Sequence, residues 1–529
     1  MRKRVLSLLC VLALCLGLLP ATALAAAPPE NQVLYVGGVR ISSTGYWTTD
    51  SDGNVTASTA GETPTDNYIS YDAENNVLTL HNATIKKGLE YSENIEGGTY
   101  IFGSAIGVLN QNGAAELTIT LEGTNTIAEV GKGIFVLASS TSTGGATLTI
   151  TGGGSLNASA SQTGIWVQSN SNNAALCVKN AEVTASADGA FKNGVLVQAK
   201  EGSDVSLTVN GGSLTASVNA NIWFQFGSGA SGSGTPTVTV SNNAIVRANG
   251  GIANNSSTSI QYGTGNKENG GIVWNGTGGT VYGNVTLQEN LEIGEGESLT
   301  IGDGASLTID SGATLTNEGT VTTEEGGTLT NNGKIDNSGT LPETIEGNQP
   351  PKITTTSLPN GEVDTTYNQT LGATGSETIT WSLADGSSLP AGLSLDENTG
   401  KIYGTPTTAE ESTFTVTATN AYGSASREFT LTISAPTTIP VTGVTLNKTA
   451  LSLTVGGTET LTAIITPDNA TNKNVTWSSN NLEVATVENG TVTAVGAGNA
   501  TITVTTADGS KTATCTVTVE KPLVWYKKS

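Results

Sequence analysis

A repeat of about 30 residues is the feature that most restricts how this chain can fold. A first apolar motif, such as Leu117-Thr-Ile-Thr, recurs at intervals of 31, 28, 31 and 31 residues, at Leu117, Leu148, Leu176, Leu207 and Val238. A second apolar position follows each copy, at Ile127, Leu156, Val183, Leu214 and Ile245. A third run completes the unit and begins at Gly133, Gly164, Gly194, Asn221 and Gly251. These three runs define one structural unit.

Each unit predicts one coil of a parallel β-helix. Its three short runs alternate, so that one face of each strand points inward and the other outward. Glycine and asparagine occupy the corners because they enter left-handed backbone conformations at low cost. We count about six coils between residues 77 and 275. The repeat resembles the pectate-lyase-like parallel β-helix. The predicted fold is all-β: a right-handed parallel β-helix (solenoid) followed by two immunoglobulin-like β-sandwiches.

Changes of period and composition divide the chain further. From Val281 the apolar positions come every six or eight residues, which predicts a narrower solenoid end or an edge cap over residues 280–347. Proline pairs or clusters at 350–351 and 436–440 mark two further breaks. The predicted domains are a signal peptide (1–25), an N-terminal β cap (26–76), the β-helix (77–279), the solenoid end (280–347), two sandwich modules (350–435 and 440–520) and a tail (521–529).

The N-terminus predicts secretion. Arg2, Lys3 and Arg4 precede an apolar run that ends at Leu19, and the sequence from Ala21 to Ala25 offers small residues for cleavage before Ala26. No second apolar run is long enough to span a bilayer. We therefore expect a secreted or extracellular protein that is associated with the cell surface.

Charge excludes some partners. Asp and Glu number 45 against 22 Lys and Arg, and the net charge of −23 falls further when the three basic residues of the signal leave. Such acidity disfavours nucleic acid and anionic membranes as partners. Of the cysteines that remain, Cys177 and Cys515 lie 338 residues apart, which indicates no disulfide framework. Strand alternation predicts that Cys177 is exposed and that Cys515 is buried.

The two C-terminal modules carry recognisable motifs. The first contains Ile379-Thr-Trp-Ser, Leu389-Pro-Ala-Gly-Leu-Ser-Leu and Thr399-Gly-Lys-Ile-Tyr-Gly-Thr-Pro, and it resembles the putative-Ig (cadherin-like) repeats of bacterial surface proteins. The second contains Val475-Thr-Trp-Ser-Ser and a long run from Gly490, and it resembles a group 2 bacterial Ig-like (BIG2) domain. These resemblances imply stalks or adhesive units. Trp381 and Trp477 are interpreted as core anchors.

One constellation suggests ligand binding. In Gly164-Ile-Trp-Val-Gln168 the aliphatic residues share one face, so Trp166 and Gln168 share the other. The same parity predicts two outward columns. The aromatic column contains Phe135, Trp166, Leu196 and Trp223, and the amide column contains Leu137, Gln168, Gln198 and Gln225. Stacked rings beside amides suit a saccharide, whose ring faces stack on indoles while its hydroxyls bind amides. The alternative interpretation is that an insertion or the cap covers these columns, or that the rings belong to the core.

Catalysis finds little support in the residues. Residues 100–279 hold eight carboxylates: Glu116, Glu122, Glu129, Glu182, Asp188, Glu201, Asp204 and Glu268. A glycosidase needs two facing carboxylates, and a lyase needs a base beside acids that hold calcium. In coil register these acids scatter among turns. His81, the single histidine, could serve as a base, but a surface or turn position is the favoured interpretation. We predict no catalytic residues.

A calcium site is the alternative interpretation of one acidic turn. Asp50, Asp52 and Asn54 have the spacing of calcium ligands, but Val55 and Gly61 stand where an EF-hand loop needs glycine and glutamate. A hairpin turn is therefore favoured, and no cofactor is predicted.

These observations predict an adhesin-like bacterial protein whose β-helix presents a carbohydrate-binding surface on an Ig-like stalk. Its partner would be a polysaccharide or a glycan on a host or neighbouring cell, and we expect it to act as a monomer. Two alternatives stay open: a polysaccharide lyase or glycoside hydrolase on the β-helix, and a purely structural surface or biofilm component.

Cleavage before Ala26 can be tested directly. We expect the protein secreted by its own signal to begin at Ala26, because the Ala23 and Ala25 side chains fit a signal peptidase site. N-terminal sequencing and intact mass of the secreted chain would check this. A secreted chain that retained residues 1–25 would contradict the prediction.

Overall fold

The computed structural model describes residues 31–521 except 59–62, 96–97, 140–142, 190–192, 218–219, 228–231 and 266. The predicted signal peptide and most of the predicted tail lie outside the described residues. All regular elements in the described part are β-strands, which confirms the all-β prediction. That part contains no helix able to span a membrane.

The strands follow one another along the chain without helices between them in the described part. The first nine are β1 Gln32–Val36, β2 Val39–Ile41, β3 Gly45–Thr49, β4 Val55–Ala57, β5 Tyr68–Asp72, β6 Val77–His81, β7 Thr84–Ile85, β8 Leu89–Ile95 and β9 Gly98–Asn110. The main repeats contain β10 Ala115–Glu122, β11 Thr124–Ala138, β12 Ala146–Thr151, β13 Ser155–Ser169, β14 Ala174–Ala187, β15 Asn193–Ala199, β16 Val205–Ala216, β17 Asn221–Phe226, β18 Pro236–Ser241, β19 Ala244–Ala248, β20 Ile252–Asn254, β21 Gln261–Thr264 and β22 Gly271–Asn275.

Short strands follow: β23 Gly278–Tyr282, β24 Asn284–Leu287, β25 Leu291–Ile293, β26 Ser298–Ile301, β27 Ser306–Ile309, β28 Thr314–Asn317, β29 Thr320–Thr323, β30 Thr328–Asn331, β31 Lys334–Asn337 and β32 Glu346–Gly347. The first C-terminal module contains β33 Lys352–Ile353, β34 Gly361–Glu362, β35 Tyr367–Thr370, β36 Ala373–Thr374, β37 Thr380–Leu383, β38 Leu393–Leu395, β39 Lys401–Gly404, β40 Glu410–Asn420 and β41 Gly423–Ser434. The second contains β42 Gly443–Leu446, β43 Ala450–Thr454, β44 Thr458–Thr460, β45 Ala463–Thr466, β46 Val475–Ser479, β47 Ala485–Glu488, β48 Thr491–Ala494, β49 Gly498–Thr506 and β50 Thr512–Glu520.

Strands one repeat apart pair in parallel, and the pairing forms three ladders. The first motif pairs Leu117 with Leu148, Leu148 with Leu176, Leu176 with Leu207, and Leu207 with Val238. The third run aligns in the same way, at Ile134, Ile165, Val195, Ile222 and Ile252. These side chains belong to one buried cluster that runs through the repeats. Each buried aliphatic side chain contributes about 1.5–3 kcal/mol relative to an exposed one.

The second motif differs from its expected register at both ends. Leu156 lies opposite Asn125 rather than Ile127, which pairs with Ala158. Asn125 is fully buried there because its side chain binds the amide of Ala83 and the carbonyls of Glu122 and Ser155, as buried polar groups require.

The far end of the second ladder is shifted by one residue. Leu214 pairs with Val246, so Val246 points into the core while Ile245 packs on the next cluster. A shift of one residue exchanges the two faces of a strand. The sequence pattern could not distinguish these two neighbouring β-branched residues.

One corner of the repeats is formed by residues in the left-handed region. Asn82, Asn180 and Asn242 have φ values of 48°, 51° and 54°, and Gly123 and Gly211 have 62° and 71°. A Cβ on Gly123 would overlap Oδ1 of Asn82, and that same oxygen accepts a hydrogen bond from the amide of Thr124. Glycine and asparagine therefore occupy this corner for conformational and contact reasons, as the sequence predicted.

The sheet of the repeats is mixed. β1 and β2 pair antiparallel, as do β1 and β9, β3 and β5, and β5 and β6. β6 then pairs in parallel with β10, so the N-terminal hairpins continue directly into the repeats. At the other end β22 and β23 form an antiparallel pair.

The short strands also pair in parallel, now across about one turn of 20 to 22 residues. Leu299 pairs with Val321, Leu307 with Leu329, and Leu315 with Ile335. The side chains of these strands form a second, separate cluster.

The C-terminal modules have Ig-like cores. Trp381 is 6% exposed and packs in the first core, and Trp477 packs against the second, which confirms both as core anchors. Cys515 is fully buried, as predicted. Cys177 is only 2% exposed, so its predicted exposure was wrong. The outward face is covered at this repeat, since Thr208 beside it is also buried.

The sheet of the short strands continues into the first module. β31 pairs in parallel with β41, with Ile335 opposite Gly423 and Asp336 opposite Ser424. The hydroxyl of Ser424 donates to the carboxylate of Asp336 at 2.8 Å. This pairing closes the exposed edge that β31 would otherwise present.

The pairing depends on a glycine and yields a test. A Cβ at Gly423, whose φ is 141°, would overlap the carbonyl oxygen of Ile335. We expect Gly423→Ala to separate β31 from β41 and to lower the free energy of unfolding of the first module by about 2 kcal/mol. Calorimetry, with limited proteolysis of residues 338–349, would measure both effects.

Gly386→Ala is the matched control. Gly386 has a φ of 78° and no atom within 4 Å of an added Cβ, so it carries backbone strain without a clash. It should cost about 1 kcal/mol and leave the cleavage of residues 338–349 unchanged. Equal proteolysis of the two variants would contradict a continuous sheet.

Candidate functional site

The third ladder places the aromatic and amide columns side by side. Phe135 pairs with Trp166, Trp166 with Leu196, and Leu196 with Trp223. In the amide column, Gln168 pairs with Gln198, and Gln198 with Gln225. Parallel neighbours lie about 4.8 Å apart, so each column is a straight row of side chains.

The columns are not uniformly exposed. Phe135 and Leu196 are each 5% exposed and Gln198 is 9% exposed, whereas Trp166, Gln168, Trp223 and Gln225 are half-buried. Phe135, Leu137 and Leu109 form a separate apolar cluster on the outward face, and Trp166 packs against it. Sequence parity located the face but could not show that this end of it is covered.

The three glutamine side chains of the amide column are positioned by hydrogen bonds that their Nε2 atoms donate. Nε2 of Gln198 and Nε2 of Gln225 both donate to the carbonyl of Gly227, at 3.2 and 3.3 Å, and Nε2 of Gln168 donates to Oδ1 of Asn170 at 2.7 Å. Their carbonyl oxygens accept no hydrogen bond from the part of the chain that the structure describes. Those oxygens can accept bonds from hydroxyl groups.

A lysine that sequence reasoning missed lies beside the aromatic column. The ammonium of Lys132 is 5.4 Å from the ring centre of Phe135 and 5.3 Å from that of Trp166. The residue is 9% exposed, and burial lowers its pKa. No described carboxylate or other acceptor binds the ammonium. Its position between two glycines in Gly131-Lys-Gly133 was the one available signal.

The indole N–H of Trp166 is a second donor without an acceptor among the described residues. The centre of the Trp166 ring is 5.0 Å from that of Phe135, and its buried Nε1 has no hydrogen-bond partner among the described residues. Buried indole N–H groups usually find an acceptor. Lys132 and Trp166 thus bring together two donors for which the described part of the chain supplies no acceptor.

His81 lies in a different place, on the N-terminal strands. Its ring stacks on Tyr68 at 4.7 Å, and its Nδ1 is 3.1 Å from a carboxylate oxygen of Glu122. Burial, followed by the negative charge of Glu122, raises the pKa of Tyr68. A hydrolytic pair would need a second carboxylate facing Glu122. The described part of the chain holds no group of three or more His, Cys, Asp or Glu side chains able to bind a metal.

The acidic turn is internally bonded. Asp50 accepts hydrogen bonds from the amides of Asp52 and Asn54 through Oδ1, and from the Asn54 side chain through Oδ2. The bond from the Asn54 side chain is the main reason that the pKa of Asp50 is lowered. This network joins β3 to β4, which pair antiparallel.

A groove lies at the junction between the short strands and the first module. It encloses about 860 Å³ and is lined by both parts, with Arg427 half-buried in it. The described residues offer no ion-pair partner to Arg427. The sequence carried no signal for this groove because it exists only where two modules meet.

Two family models match the C-terminal modules. Residues 350–434 match the family described as "Putative Ig domain", and residues 440–517 match "Bacterial Ig-like domain (group 2)". The chain therefore contains one domain of each family. Together these domains cover less than a third of the chain and leave the repeats unassigned.

Relatives share short segments of this chain. An alpha-L-arabinofuranosidase of Bifidobacterium longum is 48% identical over 86 residues, which are 16% of this chain and 8% of that enzyme. A lacto-N-biosidase of Bifidobacterium bifidum is 48% identical over 84 residues, 16% of this chain and 7% of that enzyme. The chain thus spans less than a tenth of these relatives. A Bacillus cereus protein is 37% identical over 90 residues, 16% of this chain and 68% of its own length, and the chain belongs to the same family over that segment.

Solved structures resemble parts of the chain weakly. A SusE-like surface located polysaccharide binding protein of Bacteroides thetaiotaomicron has a TM-score of 0.15 at 18% identity, covering 34% of this chain and 35% of its own. The titin domains Z1Z2 have a TM-score of 0.22 at 17% identity, covering 34% of this chain and all of their own. Such scores say nothing about function.

Burial of Lys132 predicts an effect on stability. Because its pKa is lowered from 10.5 in the folded state, the folded protein disfavours the charged form that dominates at pH 7. We expect Lys132→Met to raise the free energy of unfolding at pH 7 by about 1 kcal/mol. This gain should shrink as the pH rises from the folded-state pKa of Lys132 to 10.5, its unfolded-state value. Above both values the lysine is neutral in the folded and unfolded states, so burial of its charge no longer destabilises the wild type.

Calorimetry at pH 7 and above pH 10.5 would measure this change. Lys334→Met is the matched control, since Lys334 lies exposed on β31. That substitution should alter stability by less than about 0.5 kcal/mol. A Lys132→Met variant less stable than wild type at pH 7 would show that the ring contacts outweigh the cost of burying the charge.

Proposed function

We propose that this protein is a secreted, surface-associated bacterial protein of the adhesin type that binds carbohydrate. The aligned aromatic and amide columns carry this proposal. Half-buried indoles at Trp166 and Trp223 offer ring faces, and Gln168 and Gln225 beside them keep carbonyl oxygens available. Apolar faces flanked by a few fixed polar groups are the usual composition of a saccharide site.

The proposed architecture presents this surface. We infer that residues 77–279 wind as a right-handed parallel β-helix of about six coils, preceded by a cap at 26–76 and continued by a narrower end at 280–347. The parallel ladders support this winding. The modules at 350–435 and 440–520 would hold the surface away from the cell as a spacer.

The relatives are consistent with a glycan partner. The matched segments occur within an alpha-L-arabinofuranosidase and a lacto-N-biosidase, so modules of this kind accompany glycan chemistry in other proteins. Those matches lie in the Ig-like parts and carry no catalytic residue to this chain. We propose a polysaccharide or cell-surface glycan as partner, no catalysis, no resident cofactor and a monomeric chain.

A glycan array tests the proposal. We expect specific binding by the chain from Ala26 onward, and at least a tenfold loss of affinity in the Trp166→Ala, Trp223→Ala double variant, because each lost stacking contact costs about 1 kcal/mol. Gln225→Ala, which leaves the packed rings in place, should weaken binding about threefold to tenfold.

Tyr403→Ala is the matched control, since Tyr403 is an aromatic residue 44% exposed on the first C-terminal module. It should bind as wild type does. Binding that survived the double variant would reject this surface as the site. A folded wild-type protein that bound no glycan would reject carbohydrate recognition and favour the structural alternative. Glycan cleavage during the assay would favour the enzyme alternative and direct attention to His81 and Glu122.

A further inference from the structure

We propose that Lys132 and Trp166 form a subsite for the anionic group, a carboxylate or a sulfate, of a charged glycan. The inference rests on the proposed function and narrows it to a ligand class. It starts from the two donors described above, the ammonium of Lys132, a residue that is 9% exposed, and the buried indole N–H of Trp166, neither of which has an acceptor among the described residues.

Buried donors of this kind are uncommon in folded proteins. A buried charge is normally paired, and a buried N–H is normally bonded to protein or water. Contact with the faces of Phe135 and Trp166 attracts the ammonium but supplies no hydrogen-bond acceptor. Both donors lack an acceptor oxygen, and for the ammonium that oxygen is best one that carries negative charge.

Several cations of the described part are ion-paired, and burial distinguishes Lys132 from those that are not, such as the half-buried Arg427. Lys86 pairs with Glu129, Arg247 with Glu297, and the second module holds two more lysine–carboxylate pairs. In a chain with 45 acidic residues, a cation has many carboxylates available. Lys132 has none within ion-pair distance among the described residues. Its missing anion is therefore best supplied by a ligand.

Position connects this cation to the saccharide surface. The ammonium lies 5.3 Å from the centre of the Trp166 ring, and Gln168 follows Trp166 on the same outward face. A pyranose that stacked on that indole would bring its exocyclic carboxylate or sulfate close to the ammonium. At the neighbouring end of the column Leu196 pairs with Trp223, no described cation lies over the Trp223 ring, and this end would hold uncharged parts of the oligosaccharide.

The test uses four chondroitin oligosaccharides of equal length at about 0.15 M salt, where long-range repulsion by the acidic protein is screened. One carries carboxylate and sulfate, one carboxylate alone, one sulfate alone after carboxyl reduction, and one neither group. Wild type should bind at least one charged member about tenfold more tightly than the uncharged member. Comparison of the carboxylate-only and sulfate-only members identifies which anionic group the subsite binds.

Three variants assign the preference to the cluster. Lys132→Met should remove the preference for charged members, and the calorimetry above reports whether it folds. Lys132→Arg should retain most of the preference because it keeps the charge. Trp223→Ala should weaken all members similarly, because it removes stacking and leaves the cation in place.

The outcomes separate this inference from the proposed function. Equal binding of charged and uncharged members, or a preference that survives Lys132→Met, would overturn the anionic subsite while the glycan array still upholds carbohydrate binding. Failure to bind any of the four would also overturn it. A folded protein that bound nothing on the array would reject both proposals together.

Discussion

Parallel hydrogen bonding between strands one repeat apart is the constraint on which the rest of this structure depends. It aligns equivalent positions of successive repeats, so that an inward side chain in one repeat lies next to the equivalent side chain in the following repeat. This alignment produces a continuous aliphatic core, because each repeat only has to pack against its neighbours. Parallel pairing also requires the chain to turn sharply at the same position in each repeat. Asparagine and glycine form these turns through left-handed backbone conformations.

Alignment on the inside also creates alignment on the outside. Trp166, Leu196 and Trp223 form a row because Ile165, Val195 and Ile222 beneath them do. A row of outward side chains made in this way costs the fold little, since outward positions do not contribute to the central core. The exposure of each side chain in the row then depends on what packs over it, and the apolar cluster around Phe135 covers one end.

The ends of such a stack need separate solutions, because each terminal strand presents unpaired backbone groups. Antiparallel hairpins occupy the first end. At the other end β31 pairs with β41 of an Ig-like module, and the amide of Asn331 binds the carbonyls of Asn348 and Tyr422 across the junction. The first module thus covers an edge as well as extending the chain, and the junction groove with Arg427 follows from this contact.

The sequence by itself determined the all-β class, the period of the repeats, the corner residues and the two Ig-like modules, because these depend on local alternation and on motifs within short segments. It also determined which side chains share an outward column. Only the tertiary structure decided that Asn125 and Val246 take inward positions, that Cys177 is covered, and that Lys132 lies beside two rings with no acceptor among the described residues. Burial and charge pairing are set by neighbours distant in the chain, and a pattern read along one strand contains no information about what packs on it.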